Sequence, residues 1–336
     1  MRPPATAPAP DSEPAVSRWE PLRYALRTPT AGPLAALILA VVVFSLGTET
    51  FLTPANLSLV LQQSIVIGTL ALGQSLIILT AGIDLANGAI AVLGTVVMAR
   101  FVFEGGDPAT AVLLGLVATT AIGLVSGLLV TRLGLPPFIV TLGILTVVYA
   151  VGRLYSQSRS YPVTDDLLRF WGNGVRVGGA LITWGTFVLL VLYAFFWYLL
   201  AKTAWGRHVY AVGNAPQSAR LTGINVERTV LSVYVTAGLL YGFAAWQALG
   251  RIPNADPNAY QTANLESITA VVIGGTSLFG GRGGVVGTLI GTLIVSVLRS
   301  GLTQAGIDSL YQDVATGTLV IVAVGIDKVL RRGRSR

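Results

Sequence analysis

The chain has 336 residues, of which 53% are hydrophobic and 11% charged, with 39 glycines and a formal net charge of +7. So few charges on so much apolar sequence exclude an ordinary soluble domain and fit a polytopic helical membrane protein. The absence of cysteine and the single histidine, His208, exclude disulfides, iron–sulfur clusters and thiolate metal sites. The basic residues stand at the chain ends and between apolar runs, where membrane topology accounts for them and nucleic acid is not needed.

Residues 1–30 are rich in Pro and Ala and carry Arg2, Arg18, Arg23 and Arg27. They read as a disordered cytoplasmic arm that stays attached, because the first apolar run begins near Pro33, is long enough to span and has no convincing cleavage site. Ten apolar segments follow, at 33–51, 58–79, 86–103, 110–130, 137–155, 181–200, 229–249, 264–279, 284–299 and 313–329. The expected fold is therefore all-α and polytopic, with about ten transmembrane helices over residues 31–330. A bilayer core needs about 20 helical residues, so the last three segments are short and are expected to be broken, tilted or re-entrant.

With the N-terminus inside, an even number of spans returns the basic tail 331–336 to the cytoplasm. The inner side then holds Arg132, Lys202, Arg207, Arg220, Arg228 and Arg282 besides the two ends. The outer side holds Arg100, Arg153, Arg251 and Arg299 among acids such as Glu49, Glu104, Asp107 and Glu266. That bias obeys the positive-inside rule.

The second and third segments flank a break at Thr80-Ala81-Gly82-Ile83-Asp84, where the apolar run restarts as though Asp84 were its N-cap. A helix end and a carboxylate cannot face lipid, so the break faces protein or a water-filled cavity. Two roles are open to Asp84: capping a half-helix, or touching a transported species.

The periplasmic loop 156–180 mixes charges with Tyr161, Phe170 and Trp171, which suits an amphipathic element on the membrane or against an external partner. The cytoplasmic loop 201–228 is polar and predicts a short helix that starts near Asn214 or Pro216 and is ended by Gly223. Small residues recur at i and i+4 in Gly123–Gly127, Gly238–Gly242 and Gly283–Gly287–Gly291, a spacing that lets helix backbones approach. Ala81–Thr95 and Gly274–Thr288 share Gly, Leu, Val and Thr at matching positions. Either an internal repeat or shared glycine-rich turn chemistry explains the match.

No nucleotide-binding loop, HExxH motif or Ser/His/Asp constellation is present, so an enzyme is not expected and no catalytic or metal-ligating residue is assigned. The polar residues in the spans include Gln63, Gln74, Asp84, Asn87 and Gln247. Amides suit a passage for a neutral polyhydroxy solute, and equally suit hydrogen bonding between helices. Asp84 is the only good intramembrane carboxylate candidate, which argues against a proton- or sodium-driven carrier.

Three stretches, Gly73–Ile90, Ala211–Val226 and Ile268–Ile294, resemble the permease subunits of bacterial ABC importers for simple sugars, the ribose/xylose/galactoside type. The resemblance runs from about Phe51 to Lys328. It implies a type II ABC importer-like permease in the bacterial inner membrane, paired with a second identical or diverged copy. It implies a cytoplasmic ABC ATPase, which uses ATP and Mg, and a periplasmic sugar-binding protein; this chain itself needs no cofactor. Asn214, Gln217, Ala219, Arg220, Leu221 and Thr222 fall in the segment that resembles the coupling helix, while Gln63, Gln74, Asp84, Asn87 and Gln247 are candidates for the translocation path. Ala81 and Ala86 depart from the family's GGIDLS pattern. A branched-chain amino acid or nucleoside permease, and a self-sufficient secondary carrier, are the alternatives.

Overall fold

A computed structural model describes residues 30–334; the arm 1–29 and residues 335–336 lie outside the described residues. Each of the ten apolar segments carries a helix. These are α1 (Ala31–Gly47), α2 (Pro54–Leu79), α3 (Asn87–Phe103), α4 (Pro108–Arg132), α5 (Pro137–Ser156), α7 (Trp184–Lys202), α10 (Val226–Arg251), α11 (Ala263–Ile273), α12 (Val285–Gln304) and α13 (Ser309–Arg334). Six of them, α2, α4, α5, α7, α10 and α12, are long and apolar enough to cross a membrane, while α1, α3 and α11 are shorter apolar helices. The chain is thus an all-α polytopic membrane protein; among the described residues six helices have the length and composition of a full span, against the about ten spans expected.

Local sequence sets many of the helix starts. Thr53 caps α2 by accepting from Asn56 N, Asp107 caps α4 by accepting from Thr110 N (2.8 Å), and Asn225 caps α10 by accepting from Arg228 N (2.9 Å). Proline follows Thr53 and Asp107 at the first helical position, where its missing N–H loses nothing. The Thr110 backbone and hydroxyl bonds hold the exposed Asp107 carboxyl below its ordinary range.

Helix α10 is the axis of the bundle, in contact with α2, α3 and α4. Its approach to α4 is set by glycine: a Cβ at Gly123 would lie 2.5 Å from the Tyr234 carbonyl oxygen, and one at Gly238 would lie 2.7 Å from that of Thr119. The two glycine steps read from the sequence therefore face each other. The third splits, because Gly283 precedes α12, while Gly287 and Gly291 seat that helix on α11. Helix α2 is interior, with 67% of its apolar window buried, and α5 is peripheral at 22%.

One end of the bundle carries two small antiparallel ribbons. Strand β1 (Tyr161–Pro162) pairs with β4 (Asn254–Ala255), and β2 (Gly174–Val177) pairs with β3 (Ala180–Thr183). Between them, the short helix α6 (Asp166–Arg169) is capped by Asp165, and Trp171 packs edge-on against Phe243 and Trp246 of α10. The loop read from the sequence as an amphipathic element on the membrane or against an external partner is packed on α10 through Trp171. Glu266 and Arg299, placed from the sequence at the outer side of the segments 264–279 and 284–299, are within α11 and α12 and form an ion pair with Glu266 buried.

The opposite end carries α8 (Ala204–Asn214) and α9 (Pro216–Leu221). Helix α9 matches the short helix expected there, and Gly223 ends it at φ +85°. Helix α8 was not expected, since its sequence reads as polar loop; Gly206, Val209, Val212 and Gly213 form its buried face. The basic tail continues α13 as far as Arg334.

Candidate functional site

The break between α2 and α3 is built from the residues the sequence singles out. Helix α2 ends at Leu79, and Ala81 turns the chain at φ +62°, a left-handed conformation that favours glycine. Asp84 is not the helix cap: its Oδ1 accepts from Ala86 N (2.7 Å), an Asx-type turn, and the helix starts three residues on at Asn87. The Gln74 amide lies against the backbone of Asp84. Turned so that its oxygen accepts from Asp84 N (3.2 Å) and its nitrogen donates to Asp84 O (3.0 Å), it closes the break like one rung of a sheet. Thr141 of α5 donates to Ile83 O (3.0 Å).

Helix α11 completes this clasp. Asn87 Nδ2 donates to Ser267 Oγ (2.7 Å), Ser267 Oγ donates to Asn264 O (2.8 Å), and Asn264 Nδ2 donates to Leu85 O (3.1 Å). Tyr234 and Tyr241 of α10 stand close to the Asp84 carboxylate. Among the described residues no Lys or Arg is paired with Asp84, so the carboxylate accepts from Ala86 N without a counter-cation. The structure thus gathers Gln74, Asp84 and Asn87, all at most 2% exposed. Gln247 sits nearby, accepting from Thr69 (2.7 Å) one and a half turns along α2 from Gln74. Gln63 is not part of the group, being eleven residues, roughly 16 Å, from Gln74 along the same helix. Ser267 and Asn264 were missed because an isolated Ser or Asn in an apolar run carries no signal of its own.

The break is joined to the α8–α9 end by backbone. Gly281 N donates to Leu79 O (3.0 Å), and a Cβ at Gly213 would lie 1.8 Å from that same oxygen. The two stretches with matching glycines therefore meet, but α3 restarts at Asn87 and α12 only at Val285, positions that do not correspond. Turn chemistry, not a repeated backbone, explains their likeness.

On α9 itself Leu221 is 90% exposed, a large apolar side chain held out at the end of the molecule. Gln217, Arg220 and Thr222 are exposed around it, with Arg220 4.0 Å from Glu227, and Asn214 is exposed at the end of α8. Ala219 differs: it is 4% exposed and packs inward, so it is not available at the surface.

Comparison with known proteins finds a family and close relatives for the chain. A family model described as "Branched-chain amino acid transport system / permease component" matches residues 56–324. The fructose import permease protein FrcC of Rhizobium meliloti is 45% identical, over 91% of this chain and 87% of its own. The ribose import permease protein RbsC of Bacillus subtilis is 36% identical, over 88% and 92%. The D-allose transport system permease protein AlsC of Escherichia coli is 33% identical, over 94% and 97%. No solved structure matches. With a family model over residues 56–324 and relatives aligned along nearly their whole length, this chain belongs to that family of transport-system permease components.

Proposed function

We propose that the chain is the membrane-spanning permease subunit of an ATP-driven, binding-protein-dependent importer, which moves a pentose, a hexose or a related polyol across the bacterial inner membrane. The observation that carries this reading is the full-length similarity to permeases named for fructose, ribose and D-allose, with a further relative named for galactose and methyl galactoside. On this reading a partner ATPase binds and hydrolyses ATP with Mg, a periplasmic binding protein delivers the solute, and a second permease copy completes the pathway. The charge bias of the loops supports placing α9 and both termini in the cytoplasm and the β-ribbons outside.

Helix α9 then offers Leu221 to a groove of the ATPase. Displacement of α9 passes through α8 to Gly213, which touches Leu79 at the end of α2. The single chain by itself seals Gln74, Asp84, Asn87 and Gln247 from solvent, so contact with solute requires the clasp to open. Purification of the tagged chain from its native membrane in mild detergent is expected to recover a nucleotide-loop ATPase. Leu221→Asp should insert normally, lose that ATPase and lose uptake; uptake retained with ATPase bound would refute the coupling role.

A second reading, import of branched-chain amino acids, is favoured by the family's own description. A ligand screen of the co-encoded binding protein decides between them: a sugar supports the first, a leucine-type amino acid the second.

A further inference from the structure

Helices α4 and α5 are joined by the short stretch 133–136, yet α5 rests mainly on α3 and touches α4 little. The gap between them is a groove of about 370 Å³. Leu93 of α3 and Val148 form its floor, at 7% and 4% exposure, and Ala118, Val125, Val147 and Val151 are among its walls. Every residue lining it is aliphatic. It is therefore a dry slot within helices long enough to span the bilayer, and water gains no hydrogen bond by entering it.

The slot covers about 10 Å of α4, from Ala118 to Val125. A hydrocarbon chain matches this wholly aliphatic lining, since it brings no polar group that the slot would leave unpaired. The charge at one end agrees with such an occupant. Arg132 lies seven residues beyond Val125, two turns on and thus on the same face of α4, about 10 Å from the mouth of the slot. It is exposed, and among the described residues it forms no ion pair. Leu133 and Leu135, next to it in the chain, are 65% and 41% exposed, so apolar surface adjoins the charge.

The geometry points to a phospholipid site, in which one acyl chain of an anionic lipid fills the slot between α4 and α5 and its phosphate is held by Arg132. The inference is independent of the transported solute. It needs only that the chain lies in a bilayer.

The test is native mass spectrometry of the full-length chain released from nanodiscs of equal phosphatidylglycerol and phosphatidylcholine. The wild-type chain should retain phosphatidylglycerol about fivefold over phosphatidylcholine, the preference expected of one arginine at a membrane surface. Arg132→Gln should equalise the two lipids without loss of total lipid. Ala121→Phe fills the slot, as does the milder Ala118→Leu, and each should lower retention of both lipids while the protein stays monodisperse. Lipid retention unchanged in both slot-filling variants, or no headgroup preference in the wild type, overturns the site. So does efficient cross-linking of Val147→Cys, in a chain with no other cysteine, to a second copy in place of retained lipid.

Discussion

Gly213 and Leu79 meet backbone to backbone: the smallest possible side chain on α8 sits where any Cβ would fall 1.8 Å from the Leu79 carbonyl oxygen. That oxygen already accepts from Gly281 N, so it cannot move aside without breaking a second contact. Gly213→Ala is therefore expected to destabilise the protein by roughly 2–3 kcal/mol, as overpacking against a fixed backbone does. Thermal unfolding of the detergent-solubilised protein checks this. If α8 transmits movement to the break, the variant will also lose uptake under conditions where it remains folded.

Ala81 holds a left-handed backbone at φ +62°. The strain at such a position is about 1 kcal/mol for a residue with a Cβ. Ala81→Gly should raise stability by about that amount, less the flexibility glycine adds to the unfolded chain. A melting temperature that falls would show that the Ala81 methyl against Gly280 matters more than its dihedral.

Two substitutions at Asp84 separate its roles. Asp84→Asn keeps an oxygen for Ala86 N and should fold normally, whereas Asp84→Ala removes that bond and should cost about 1–2 kcal/mol. If Asp84 acts only by shaping the break, uptake will follow stability in both variants. Uptake lost in Asp84→Asn with stability intact would assign the charge itself to transport.

The Glu266–Arg299 pair ties α11 to α12, with Glu266 buried and the Arg299 side chain 37% exposed. Removing arginine strands a carboxylate beside Thr262 as its remaining partner. Because water reaches one side of the pair, Arg299→Ala should cost about 2 kcal/mol, below the range for a fully buried pair. Adding Glu266→Gln to that variant should recover most of the loss, and a double-mutant cycle by thermal unfolding measures the coupling.

The positions of the helices were legible in the sequence because hydropathy in a membrane protein reports them directly. Their ends were less so. The eighth segment was expected to reach 279, but α11 stops at Ile273 where Gly274 and Gly275 leave the helix, the latter at φ +87°. Asp84 looked like a cap because the apolar run resumes after it, whereas its side chain reaches only two residues and the helix begins at Asn87. Helix α8 was hidden by its own composition: AWGRHVYAVGN is amphipathic, and its stability depends on the floor of Leu79 and the 274–284 loop beneath it. The polar clasp was half legible. Gln74, Asp84 and Asn87 stand close in sequence, but their tie to Ser267 spans 180 residues and follows only from the fold.

The interlocked glycines of α4 and α10 have a mechanical consequence. Backbones this close, with the Tyr234 oxygen over Gly123 and the Thr119 oxygen over Gly238, leave no clearance for one helix to slide a turn past the other. The pair is a single beam. Whatever swivels in this protein must swivel around that beam or carry it whole, and the peripheral α5, which rests on α3 more than on α4, is not locked into it in the same way.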